Sequence, residues 1–196
     1  MGKAESYHHG NLRRAVLDAA LAAIEESGPS GWSLRELARR AGVSHAAPAH
    51  HFGDKAGVLT AVAAEGFEQF ADALEAAAGD PYGSGVAYVR FAVDHRAYFE
   101  VMFRPELYRV EDPELAAARE RAGAVLAASG RKLSRGAGAG SGDERATTIA
   151  AWSLAHGFAS LWLNGALPES RGEGDVEELA KEVLRVVFGG GAEGVE

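Results

Sequence analysis

Residues 44–55 read SHAAPAHHFGDK: three histidines, a proline among alanines, then an aromatic, a glycine and a charged pair. A metal site, a catalytic histidine cluster and a helix turned toward a partner would each use such a string, and the flanks decide between them. Upstream, Ser33-Leu34-Arg35-Glu36 fits a capping box, with the Ser33 hydroxyl accepting a first-turn N–H while Glu36 reaches back. That predicts a short helix over 34–41 burying Leu34, Leu37, Ala38 and Ala41, with Gly42 just past its end. Ser44 is placed to cap a second short helix running from His45 to about His51. Pro48 would forfeit a backbone hydrogen bond in the fourth position, so this helix either begins later or has a distorted first turn. Gly53 ends it, and Asp54 caps a long helix to about Ala78 with Val58, Leu59, Val62, Phe67, Phe70 and Leu74 on its inner face. Two short helices across a glycine turn describe a helix-turn-helix, whose second helix lies in a DNA major groove. A helix over 10–27, striped by Leu12, Val16, Ala20, Ala23 and Ile24 and stopped by Gly28-Pro29, supplies the third member.

This frame orders the histidine readings. His50 and His51 are adjacent and point about 100° apart on a helix, and His45 is five residues from His50, which is poor spacing for a shared metal. No metal and no cofactor is expected. The DNA reading sets His45, Ala47 and His50 toward the groove, with small Ala46 and Ala47 allowing close approach, and His51 and Phe52 turned inward. Lys55 opens the long helix, where its charge opposes the dipole, and a phosphate partner would explain it. Arg35 fits the same account, whereas Arg13, Arg14, Arg39 and Arg40 read equally as surface charge. The candidate DNA-facing set is Ser33, Arg35, Ser44, His45, Ala46, Ala47, Ala49, His50, His51 and Lys55.

Composition bounds the alternatives. The 196 residues carry a net charge of −8 and no cysteine, so disulfides and thiolate metal sites are excluded. Residues 1–55 hold seven Lys/Arg against six acids and five of the seven histidines, so the excess acid lies in the remainder. No apolar run approaches the ~20 residues of a membrane helix, and a soluble cytoplasmic protein is expected. Apolar residues recur at helical steps throughout, with further helices at about 83–94, 96–104, 112–133, 144–164 and 174–188. The fold class is therefore all-α, about nine helices. "SRGAGAGSGDE" at 134–144 reads as a loop and 189–196 as a flexible tail.

The stretch WSLRELARRAGVSHAAPAHHFGDKAGVL (32–59) resembles the DNA-binding domain of the tetracycline-repressor (TetR) family, on Leu37-Ala38, Ala41 to Ser44, His51-Phe52, Lys55 and Leu59. YHHGNLRRAVLDAAL (7–21) resembles the start of one branch, and AWSLAHGFASLWLNG (151–165), with Trp152, His156 and Gly157, the ligand domain of the branch named for its Trp-His-Gly motif. One departure stands out: the family usually has a tyrosine, commonly on a DNA phosphate, where this chain has Ala49. The resemblance implies a helix-turn-helix domain over 7–55, an effector-binding and dimerisation domain over 56–188, and a homodimeric repressor of a near-palindromic operator released by a small apolar effector. The effector pocket is expected among Phe67, Phe70, Phe91, His95, Phe99, Met102, Phe103, Trp152 and His156. The last two helices are apolar on more than one face, so Ile149, Leu161, Trp162, Leu179, Val183 and Val187 are expected at a dimer interface. Two readings oppose this one: a family relative that binds ligand with weakened or lost DNA binding, for which Ala49 speaks, and a helical enzyme with His95 or His156 as general base, for which no nucleophile, carboxylate or phosphate loop stands at a telling distance, so no catalytic residue is assigned.

Overall fold

The structure, a computed structural model, describes residues 3–78, 82–136, 144–171 and 174–188. Among these every regular element is a helix: α1 (Lys3–Ser27), α2 (Leu34–Arg40), α3 (Ala47–Phe52), α4 (Lys55–Ala76), α5 (Gly83–Asp94), α6 (Arg96–Met102), α7 (Pro113–Gly136), α8 (Glu144–Leu163) and α9 (Val176–Phe188), with 3-10 turns at Pro105–Leu107 and Pro168–Arg171. The tail expected at 189–196, and 137–143 of the expected loop, lie outside the described residues. The chain forms two compact units: residues 1–67 with 96–118, and residues 68–95 with 119–196.

The first unit is built on α1, which packs against α2, α3 and α6. Val16, Leu17, Ala20, Ala23 and Ile24 at three- and four-residue steps are at most 1% exposed. They meet a core that includes Leu37 and Ala38 of α2, Phe52 of α3 and Val58, Leu59 and Val62 of α4; each large side chain so buried contributes about 1.5–3 kcal/mol. Helix α1 begins at Lys3, seven residues before the expected start. Ser33 caps α2 by accepting from the Glu36 N–H at 3.3 Å. The reciprocal half of the capping box is replaced: the Glu36 carboxylate takes Arg40 Nε at 2.9 Å, and Arg40 also bridges to Glu26 on α1 at 2.7 Å. Gly42, at φ 65°, makes the left-handed turn into α3 that an L side chain would strain.

Helix α3 starts two residues later than the Ser44 cap predicts. Its N-cap is Ala46, with no side-chain bond, and Pro48 falls in the first turn, where a missing N–H costs nothing. The Ser44 carbonyl, not its hydroxyl, holds the entry by accepting from Ala47 N at 3.0 Å. Asp54 caps α4 as expected, accepting from Gly57 N at 2.9 Å, and pairs with Arg109 at 2.9 Å. Arg109 N–H also donates to Thr60 Oγ1 at 3.0 Å, so the segment before α7 is strapped to the first turns of α4. Further along α4, a Cβ on Gly66 would lie 2.8 Å from Met102 Sδ and 3.1 Å from Tyr98 Cβ, which makes glycine the residue that lets α6 cross so closely.

In the second unit α5 packs on α8 and α9, and these pack on each other. Phe70 meets Tyr88 edge-on at 4.9 Å and Phe91 at 5.2 Å. Two glycines set the approach: Gly85 faces Leu184, whose Cδ1 would sit 2.7 Å from an added Cβ, and Gly130 lies directly against Thr148, so α7 and α8 touch backbone to side chain there.

Candidate nucleic-acid interface and ligand cavity

The six residues of α3 divide cleanly. Ala47, Pro48 and Phe52 are buried, whereas Ala49 and His50, with Ser44, His45 and Ala46 before the helix, are exposed. At 100° per residue, 48 and 52 share one side of the helix, and the N-cap 46 with 50 the other. Ala47, expected on the groove side, is 7% exposed and packs into the bundle, so it offers no contact surface. Small Ala46 and Ala49 flank His45 and His50, leaving two imidazoles as the longest side chains of the exposed face. His51 is half-buried; it meets the His50 ring edge-on at 5.4 Å and lines a recess of about 320 Å³ with Arg13, Phe52 and Arg109.

The cations of this unit sort by partner. Arg14 donates to Asp18 at 2.7 Å and to Glu65 at 2.6 Å, and these hydrogen bonds, Asp18 first, hold its guanidinium still further above the usual arginine range. Glu65 also accepts from the Tyr98 hydroxyl at 2.6 Å, joining α1, α4 and α6. Arg40 is held between Glu26 and Glu36. Arg35 and Arg39, both exposed and one turn apart on α2, carry no ion pair among the described residues. Arg13 lies over the Phe52 ring, 5.6 Å from its centroid. Lys55, expected to face a phosphate, is tied into the fold: Nζ donates to the Ser30 and Trp32 carbonyls, each at 2.9 Å, and stands 4.3 Å from the Trp32 ring centroid. Partial burial pulls its pKa below the usual lysine value.

The residues expected around an effector fall in both units. Phe67, Phe99, Met102 and Phe103 belong to the first, where Phe67–Phe103 and Phe99–Phe103 ring contacts are 5.9 and 5.3 Å. Phe70, Phe91, His95, Trp152 and His156 belong to the second. There Phe91 and His95 line an open groove of about 400 Å³ floored by alanines of α4. His95 is exposed because α5 ends at Asp94, and its ring lies 4.9 Å from that of Phe91. Trp152 instead lines a more enclosed cavity of about 30 Å³ among α5, α7, α8 and α9, with Ser84, Tyr88, Ser129, Gly130 and Thr148. Sequence reasoning assigned none of these last five to a site; hydroxyls at helical spacing carry no signal until three helices bring them together.

Tyr88, 1% exposed, links the motif residues: its hydroxyl lies 2.8 Å from His156 Nδ1 and accepts from Trp152 Nε1 at 3.2 Å. Desolvation pushes the His156 pKa below its ordinary value. An indole N–H only donates, so the consistent assignment sends the phenol proton to a neutral imidazole. A Cβ on Gly157 would meet nothing within 4 Å, so packing alone does not demand glycine there. Of the large apolar side chains exposed among the described residues, Ile149, Trp152, Leu161, Val186 and Val187 lie on α8 and α9 and only Val110 elsewhere. Trp162, Leu179 and Val183 beside them are half-buried.

Comparison with known proteins places the chain. Residues 16–62 match the family described as bacterial regulatory proteins, tetR family, and residues 82–187, more than half the chain, match the tetracyclin repressor-like C-terminal domain. The chain belongs to the TetR family. The HTH-type transcriptional regulator BetI of Burkholderia thailandensis is 47% identical over 51 residues, a match spanning 26% of either chain. The chain thus covers about a quarter of that curated relative's length, and 32% of BetI from an Escherichia coli strain. A solved protein of unknown function from a Rhodococcus species is similar over 95% of this chain and 98% of its own, with 31% identity and a TM-score of 0.76. The TetR family transcriptional regulator PfmR from Thermus thermophilus shares the fold, with a TM-score of 0.69 at 23% identity over 91% of this chain and 99% of its own.

Proposed function

We propose that this chain is a one-component transcriptional repressor that binds a near-palindromic operator as a homodimer and leaves it when a small apolar effector binds. The observation that carries this is the exposed strip Ser44, His45, Ala46, Ala49 and His50, held on a bundle whose inward residues Ala47, Pro48 and Phe52 are buried. An isolated surface helix has no need of such a platform; a helix that enters a major groove does. Ser33, Arg35 and His51 flank the strip as backbone contacts, and residues 7–55 act as the reading head. Residues 56–188 bind effector and pair the subunits, and Trp152, His156 and Gly157 mark the Trp-His-Gly branch. With alanine at 46 and 49, few side chains reach base edges in bidentate fashion, so phosphate contacts and DNA shape carry much of the affinity.

The exposed apolar residues of α8 and α9 support dimerisation through a four-helix arrangement, with Ile149, Leu161, Trp162, Leu179, Val183 and Val187 in the seam. Two heads then address half-sites about 34–36 Å or a multiple apart. Release is a two-state equilibrium: the effector binds the DNA-incompetent state more tightly, tilts α4 and changes the separation of the heads. No helix among the described residues is long and apolar enough to cross a membrane, which agrees with work on DNA in the cytoplasm. The test is selection of bound fragments from genomic DNA, followed by Ala49→Glu. That variant sets a carboxylate against the phosphates from an exposed position, so it should keep its fold and oligomeric state and lose the selected fragment. Retention of the fragment at wild-type affinity would refute the assignment.

A further inference from the structure

The enclosed cavity of the second unit has four wall hydroxyls, on Ser84, Tyr88, Ser129 and Thr148, whose hydrogen-bonding sense can be worked out. Ser129 Oγ donates to the Val125 carbonyl at 3.1 Å, so the 2.8 Å contact between Ser84 and Ser129 takes the proton of Ser84. Thr148 Oγ1 donates to the Glu144 carbonyl at 2.8 Å. The phenol proton of Tyr88 goes to His156, and burial keeps it there by holding the phenol well above its usual range. Each of these cavity hydroxyls thus has its proton engaged within the protein, and what Ser84, Ser129 and Thr148 turn to a guest is oxygen lone pairs. No Asp, Glu, Lys or Arg lines the space.

We infer that this cavity takes a flat, uncharged apolar molecule bearing a hydrogen-bond donor, an N–H or O–H that rests on Ser84 Oγ and its neighbours. The inference rests on the reading of this part of the chain as effector-binding, and adds the ligand class. An acceptor-only guest such as an ether or ester sets lone pair against lone pair. A carboxylate would lie buried with no cation, and an ammonium with no carboxylate. At about 30 Å³ the space holds a water or two. A guest therefore enters by moving aside the ring of the 42% exposed Trp152, whose N–H stays on the Tyr88 hydroxyl.

The test is calorimetry on the whole chain, without DNA, using indole and benzofuran, which share an outline and differ in N–H against O. Indole should bind about tenfold tighter or better, the scale on which a polar site rejects an analogue that leaves its groups unpaired. Ser84→Ala removes the acceptor and should bring the two to within about threefold. Ser129→Ala releases the Ser84 proton, so benzofuran should gain relative to indole. A ratio between two ligands on one folded protein is not moved by a general loss of stability, and either variant serves if the other does not fold. Benzyl alcohol should bind tighter than benzoate or benzylammonium. Equal binding of indole and benzofuran by the unaltered chain, tighter binding of either ion, a ratio unmoved by the variants, or no binding of any probe would each overturn the inference. Operator binding is measured separately, so failure here leaves the DNA reading standing, and the reverse holds.

Discussion

Replacing Arg35 by glutamine tests the proposal that its guanidinium meets DNA, with Arg14, which serves the fold, as the control. Arg35 is exposed in the first turn of α2 and carries no ion pair among the described residues, whereas Arg14 is neutralised by Asp18 and Glu65. Each phosphate neutralised contributes about 0.9 to the slope of log K against log salt on duplex DNA. One Arg35 per head and two heads give about 1.8 in slope, so over a fourfold rise in salt the unaltered protein should lose about twelvefold more affinity than Arg35→Gln. Arg14→Gln should leave the slope within about 0.3, because no counterion is released on its behalf. The assay is retardation of a labelled random-sequence duplex across a salt series, which needs no knowledge of the operator. Arg35→Gln should also leave unfolding free energy within about 0.5 kcal/mol, as for an unpaired surface residue. If Arg14→Gln flattened the slope as much as Arg35→Gln, or Arg35→Gln left it unchanged, the sorting of cations by ion pair would be wrong.

Lys55→Met removes two charge-assisted bonds to the Ser30 and Trp32 carbonyls and a cation–π contact while keeping the aliphatic stem; after allowance for partial exposure it should cost about 2 kcal/mol in urea unfolding. Gly66→Ala should gain about 1 kcal/mol from helix propensity alone, yet the crowding against Met102 and Tyr98 makes a net loss of about 1 kcal/mol the expected result, and a stabilised variant would count against the close crossing. His156 has a depressed pKa in the folded chain, so the unfolded chain binds the extra proton first and stability should fall as pH drops below about 6.5. That slope should stay under the one-proton limit of about 1.4 kcal/mol per pH unit, since the ring is only half-buried, and should shrink in His156→Gln when thermal unfolding is followed from about pH 7.5 to 5. Leu161→Glu places a charge on the exposed apolar face of α8 and should convert a dimer to a monomer in sedimentation, with the helical content unchanged.

Local signals made the reading head legible. Caps at Ser33 and Asp54, the glycine after α2 and the apolar steps of α1 are each decided within a few residues, and each appears in the structure. Where two local signals compete in that region, the structure decides between them. Ser44 offers a cap but Pro48 belongs in a first turn, and the proline sets the start of α3; the Glu36 carboxylate is drawn away by Arg40. Ala47 faces inward; alanine is neutral to either side, and only the burial of Pro48 and Phe52 shows which side faces in. The proposed ligand cavity was far less readable. Aromatic residues draw attention in a sequence, yet most of those named here are core, while the enclosed cavity owes its character to Ser84, Ser129 and Thr148 on three helices. Their convergence depends on Gly85 and Gly130 permitting close approach, a tertiary fact with no sequence period.

The bed of Lys55 has a spectroscopic use. Trp32 is buried beneath a fixed ammonium in the first unit, and the other tryptophans, Trp152 and Trp162, lie in the second. A stationary positive charge beside an excited indole displaces its emission, so the light from Trp32 should differ in colour from that of the other two. With Trp152 and Trp162 replaced by phenylalanine, the chain becomes its own optical gauge of the reading head, and melting of the first unit can be timed without a label.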